Sequence, residues 1–330
     1  MNGYGFPRVG GWVCLAVVVL LCRVAQPAEE PAGQTMSWVR GDSTLALKRG
    51  EVVLWRYHYG KDEPKCHFHP LSLPDGTVLT ELRPSDHLWH LAGWFSWKFV
   101  NGLNYWESDK AGKSPGRTEL VAAKVTPGED FSATIELDVS YHPWSKPVVL
   151  TEKRIVRVSA PDAAGGYRID WRGTFTAGAS DVVLDRTPIP GQARGKPWGG
   201  YAGLSIRMAK TTRGWSFLDS EARGYSLKEG RKAQTTHGRA ARWIDCSGKG
   251  ISGGVGGVAI LDHPKNLRHP SKWSVFPGMP YFSPAVVFDG PQTVPAGKSL
   301  TLRYRILVHP GPGGAERIEA AWKAFAKEAH

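Results

Sequence analysis

The chain has 330 residues, 41% of them hydrophobic, with 42 Lys and Arg against 30 Asp and Glu for a net charge of +12 at pH 7. That balance excludes disordered, collagen-like and low-complexity chains. The 39 Gly, 24 Pro and 14 Trp favour a turn-rich β protein over a helix bundle, and the single long apolar run, at the N-terminus, excludes a protein with several membrane spans.

In chain order the first feature is that apolar run. Arg8 provides a positive flank and Trp12 to Cys22 an apolar stretch of secretory length, shorter than the ~20 residues of a membrane helix. Residues 1–28 therefore read as a signal peptide, cleaved after the small Ala28, and residues 29–330 as one secreted or periplasmic domain. Loss of Arg8 and Arg23 leaves 40 basic and 30 acidic residues, a net +10 with no basic block. Nucleic acid is thus not an expected partner, nor is a membrane once the segment is removed, whereas an anionic polysaccharide suits the charge. Of four Cys, Cys66 and Cys246 remain, as a disulfide or as two buried thiols.

Period-two alternation dominates the rest of the chain. Phe131, Ala133, Ile135, Leu137, Val139 and Tyr141 share one frame, as do Tyr167, Ile169, Trp171 and Phe175, and Leu300, Leu302, Tyr304, Ile306 and Val308. These are half-buried antiparallel strands. Further strands are expected at 51–59, 91–99, 119–126, 149–158, 181–186, 202–209, 215–219, 256–262 and 285–289. Turn pairs such as Asn101-Gly102 separate them. Ile318, Trp322 and Phe325 give residues 315–329 one apolar helical face. About twelve strands and one terminal helix make an all-β fold, a large antiparallel β-sandwich.

Two polar clusters stand out. Cys66-His67-Phe68-His69-Pro70 and Asp86-His87-Leu88-Trp89-His90 gather four of the eleven histidines. A neutral imidazole accepts a proton or binds metal, and a carboxylate beside it fixes its tautomer. His87 and His90 are the expected acid/base groups, with Asp86 orienting them; a metal on the same pair is the lesser alternative, because the helical context of a zinc hydrolase is missing. The second cluster, Asp262-His263-Pro264 with Asn266, Arg268, His269 and Trp273, follows an apolar strand and reads as a pocket wall that brings His263 or His269 to face the first. Glu152 and Arg154 fall in the inward frame of their strand, which requires a partner or a wet cleft. His69, Trp89, Trp106 and Trp198 complete the expected sugar contacts, with flat aromatics against C–H faces.

The run His69-Pro70-Leu71, Pro74-Asp75-Gly76, Asp86-His87-Leu88-Trp89-His90, Val100-Asn101-Gly102 and Tyr105-Trp106 resembles a bacterial family of unknown function. Its members are often labelled "methane oxygenase PmoA". Arg242 to Gly248 and Gly257 to Pro264 extend the resemblance over nearly the whole chain. Leu88 departs from the family pattern, while Asp86, His87 and His90 keep it. The label conflicts with a chain that has only one signal-like apolar run. The resemblance implies a galactose mutarotase-like sandwich, a superfold shared by epimerases, glycosidases and polysaccharide lyases, so the fold alone does not choose the reaction. The expectation is a carbohydrate-active lyase or hydrolase without a cofactor. A non-catalytic carbohydrate-binding protein is the alternative, and a metal-dependent oxidase the third.

Overall fold

The computed structural model describes residues 1–5, 35–210, 213–226, 237–250, 253–276 and 278–328. Chain contacts divide it into units 1–32 and 33–330. In the first, residues 1–5 have no regular secondary structure, and the rest of the expected signal peptide lies outside the described residues. Among the described residues no helix is long and apolar enough to cross a membrane.

The second unit is built from strands. β1 (Met36–Gly41), β2 (Thr44–Arg49), β3 (Val52–His58), β4 (His67–Leu71) and β5 (Gly93–Ser96) lie side by side in chain order. β6 (Phe99–Val100) and β7 (Leu103–Asn104) form a tight hairpin. Its turn residues Asn101 and Gly102 sit at φ 50° and 76°, the left-handed pair a two-residue hairpin needs. β8 (Gly116–Pro127), β9 (Ala133–Pro143), β10 (Leu150–Val158) and β11 (Tyr167–Ala177) make a long antiparallel meander. β12 (Val182–Asp185), β13 (Gly203–Arg207), β14 (Arg213–Asp219), β15 (Gly224–Ser226), β16 (Trp243–Lys249) and β17 (Val255–Asp262) follow. β18 (Trp273–Phe276), β19 (Tyr281–Pro284), β20 (Gln292–Val294), β21 (Ser299–Pro310) and the helix α1 (Ala315–Phe325) complete the chain.

They form three sheets: β1-β2-β3-β4-β5-β13-β19-β18, then β15-β14-β16-β17-β21-β11-β10-β9-β8, and the small β20-β12-β6-β7. The two large sheets face each other across one core, in which Phe95 of β5 stacks on Trp171 of β11 with centroids 4.7 Å apart. Each strand gives alternate residues to this core, so the side chains between them point away from it. Helix α1 seats Ile318 and Phe325 against Trp243, Ala259 and Leu261, on the outer side of the nine-stranded sheet.

Two expected strands differ. Residues 285–289 form a turn in which Phe288 N–H donates to the Ala285 carbonyl, and the strand is Tyr281–Pro284. An apolar run of that length has no period to separate a strand from a buried turn. The expected strand 91–99 breaks after Ser96, and Phe99 opens β6 in the small sheet. Both cysteines are buried free thiols, so no disulfide joins them.

Candidate functional site

The outer face of the eight-stranded sheet carries the site. Trp94 alternates with the core residue Phe95, Ser205 with Leu204 and Ile206, and Tyr281 with Phe282. Register sets Trp94 opposite Ser205 and Arg207 opposite Tyr281. The Ser205 and Tyr281 hydroxyls lie 3.0 Å apart. Trp94, Tyr281, Trp106 and Leu91 form a small hydrophobic cluster of their own on this face.

Above it opens a cavity of about 360 Å³, within the ~300–1,000 Å³ range of small-molecule sites. Trp106, Tyr201 and Tyr281 wall it, with Trp89, Phe276 and Met279; Trp198, half exposed, stands at its edge. Among the described residues two imidazoles and one carboxylate face it, His87, His90 and Glu107, besides the phenols of Tyr201 and Tyr281. Consecutive turns position the histidines, since His87 N–H donates to the Pro84 carbonyl and His90 N–H to the His87 carbonyl. Their rings are consequently 4.6 Å apart.

Burial, together with His87 and Arg207, pushes His90 down to about 2. Burial also lowers His87, against the opposing pull of Asp86 and of Glu107. Both rings are therefore neutral near pH 7. His87 is the more solvent-accessible, its side chain 33% exposed, and so the better placed to exchange a proton. Their Nδ1 atoms are buried without a hydrogen-bond partner among the described residues. Asp86 lies 3.6 Å from His87 Nδ1, and Arg207 donates to both its oxygens at 2.9 and 3.0 Å. Burial alone would raise the Asp86 carboxyl, but the Arg207 guanidinium outweighs it and holds the group at about 2. Asp86 is thus a fixed anion.

Glu107 receives the Tyr201 hydroxyl at 2.8 Å, the Asn104 amide at 2.7 Å and the Lys98 ammonium. Burial works to raise its carboxyl, but Lys98 and these hydrogen bonds keep it below the ordinary carboxylate value. The cavity therefore offers an ionised carboxylate and two neutral imidazoles between aromatic walls. Glu107 and Tyr281 carry no expectation from the sequence, while Tyr201 belongs to the aromatic, glycine-rich loop Lys196 to Tyr201 that the sequence offers as a stacking face. The signal for Glu107 was its place directly after Tyr105-Trp106; Tyr201 closes the glycine-rich loop that carries Trp198.

The other expected residues lie elsewhere. Asp262 binds His269 Nδ1 at 2.9 Å, Asn266 Nδ2 at 2.7 Å and the Ser271 N–H at 2.8 Å. His269 stacks on Trp322 of α1, and His263, fully buried, meets Phe325. Arg268 caps the carbonyls of Gly290 and Pro291. This cluster fastens α1 and does not line the cavity, so His263 and His269 do not face His87 and His90 there. Trp273 is wholly buried with its indole N–H on the Ala241 carbonyl, and has no face for a ligand. Glu152 and Arg154 point inward as expected, but to a sealed ion pair at 2.6 Å in the inter-sheet core rather than to a cleft floor. His69 sits on β4, its Nδ1 3.3 Å from the Thr80 hydroxyl, with burial pushing it down to about 4. It belongs with a separate imidazole group, not with the cavity.

The molecule is a large antiparallel β-sandwich with one terminal helix and an aromatic cavity on the outer face of one sheet. The chain belongs to a family of unknown function, DUF6807, whose profile matches residues 44–323. No curated protein sequence matches it. Solved structures it is similar to include a Klebsiella pneumoniae protein provisionally assigned as an aldose 1-epimerase, at 10% identity and TM-score 0.35, covering 89% of this chain and 87% of that one. Another is a TPR-domain-containing protein from Parabacteroides distasonis, at 10% identity and TM-score 0.34, covering 85% of this chain and 48%, about half, of that one. At those values neither says what this chain binds.

Proposed function

We propose that the aromatic cavity binds a sugar ring and that His87 and Glu107 move a proton on it, outside the cytoplasm as the N-terminal segment implies. The observation that carries this reading is the meeting of a neutral imidazole and an ionised carboxylate in one aromatic-walled cavity. Flat aromatic faces suit the C–H surfaces of a pyranose, and the few polar groups fix its orientation. His87 takes the proton as the base and, once protonated, returns it as the acid, while the Glu107 carboxylate accepts a sugar hydroxyl and favours the charged imidazole. Hydrolysis with two carboxylates flanking the bond fits less well, because Glu107 is the only carboxylate lining the cavity among the described residues. Proton abstraction beside a carbonyl, as in a lyase or an epimerase, needs one group that takes the proton and hands it back to the product or the leaving group, and His87 beside the Glu107 carboxylate supplies it.

One observation favours a second reading, binding without turnover. Glu107 is engaged by three donors, which makes it a firm acceptor and a weak base. Mass spectrometry of a mixed neutral and uronate-containing oligosaccharide pool, incubated with the purified chain, separates the two. Unsaturated or epimerised products that vanish in His87→Ala and Glu107→Gln support proton transfer. Fragments carrying an added water would sink it in favour of hydrolysis. An unchanged pool, with sugar binding still detectable by calorimetry, would leave the binding protein.

A further inference from the structure

Cross-strand register puts a second group of polar side chains on the same outer face. His58 pairs with His67 across β3 and β4, and His67 pairs with Trp94 across β4 and β5. The two imidazoles lie face to face with centroids 4.6 Å apart. The loop between β3 and β4 returns Glu63 to them, its carboxylate oxygens 4.0 Å from Nδ1 of His58 and 4.0 Å from Nδ1 of His67. None of the three lines the aromatic cavity.

We propose that His58, Glu63 and His67 form a binding site for a divalent first-row transition metal ion of the Zn²⁺ type. Two imidazoles and a carboxylate are a donor set such ions favour. The three residues offer donor atoms that all lie within 4.8 Å of one another. A tetrahedral shell at ~2.1 Å spaces its donors by ~3.4 Å, so the site closes by roughly 0.5–1.4 Å on loading. Each ring is oriented by a backbone carbonyl: His58 Nε2–H faces the His69 carbonyl at 3.0 Å, and His67 Nδ1–H the Lys65 carbonyl at 3.0 Å. That outer shell leaves a lone pair on His58 Nδ1, the atom 4.0 Å from Glu63; His67 Nδ1, also 4.0 Å from Glu63, is the atom on the Lys65 carbonyl, so His67 ligates through Nε2 after its ring turns toward the carboxylate. His67 is 1% exposed, and its Nε2 is buried with no hydrogen-bond partner among the described residues, a cost that ligation removes. Glu63 also forms part of the wall of a polar cleft of about 460 Å³, which gives an ion a way in. Arg83 competes for Glu63 at 3.4 Å, and its side chain, 45% exposed, is free to swing into water.

This site is independent of the sugar reading, and its test reads metal rather than turnover. Zn²⁺ is titrated into the chelator-stripped full chain by calorimetry, with metal content measured after dialysis. One Zn²⁺ per chain is expected. Glu63→Gln and His58→Gln should each weaken binding at least tenfold, Arg83→Ala should tighten it several-fold, and His87→Ala should leave it unchanged. Near-ultraviolet circular dichroism checks that each variant is folded. Absence of stoichiometric Zn²⁺, binding that survives both Glu63→Gln and His58→Gln, or binding lost in His87→Ala would each overturn the assignment.

Discussion

Glu152 and Arg154 permit a quantitative test of what holds the two sheets together. The Glu152 carboxylate accepts the Tyr141 hydroxyl at 2.5 Å, Arg154 Nε at 2.6 Å and Arg154 Nη2 at 2.9 Å. The pair is sealed, with side-chain exposures of 0% and 3%. In Glu152→Leu the guanidinium stays in the core without its counter-charge, a change worth about 3–5 kcal/mol. At ~2–4 °C per kcal/mol for a domain of this size, Tm should fall by about 10 °C. Glu152→Leu with Arg154→Met removes both charges and fills the space with apolar atoms, so it should recover to within about 2 kcal/mol of the natural chain. Urea unfolding followed by tryptophan fluorescence supplies both numbers. The reasoning fails if the single variant loses less than about 1 kcal/mol, or if the double variant is as unstable as the single. Because neither residue lines the aromatic cavity, sugar binding by the folded fraction should be the same in all three proteins.

Three further outcomes are expected at the site. His90 is held at about 2 by burial and has an ordinary value of ~6.5 when unfolded, so protons favour the unfolded chain as pH drops through 6.5. Its contribution is nearly complete by about pH 7.5 and should be lower by about 1.4 kcal/mol at pH 5.5; denaturation at about pH 7.5 and 5.5 should show a loss that His90→Gln reduces by about that amount. Trp198→Ala, at the exposed edge of the cavity, should weaken sugar binding about tenfold with Tm unchanged, as calorimetry and thermal melts would show. Gly200 has φ +94° and a Cβ there would fall 2.4 Å from the Phe288 ring. Gly200→Ala should therefore cost about 2 kcal/mol or more in urea unfolding and disturb the adjacent Tyr201; a neutral result would refute the strain.

The strands and the helix were legible because alternation is a local property. It showed Glu152 and Arg154 to be inward, and local clustering singled out His87, His90, Trp106 and Trp198. Neither showed which strand lies beside which. Trp94 meets Ser205, and Arg207 meets Tyr281, through neighbours that are distant in sequence, so the cavity floor has no local signature. The histidine-rich runs read as one constellation, yet a single strand pairing sends His67 to His58 and leaves His87 and His90 with Glu107. His263, Asn266 and His269 resembled a pocket wall because a buried carboxylate that ties down a helix uses the same residue types as one that binds a substrate.

Trp94, Trp106, Tyr281 and Leu91 form a cluster that shares none of its members with the core between the sheets. Selection acting on one is therefore largely free of the other. Exchanging an indole for a smaller ring above the sheet alters what fits there while the Phe95–Trp171 stack beneath stays intact.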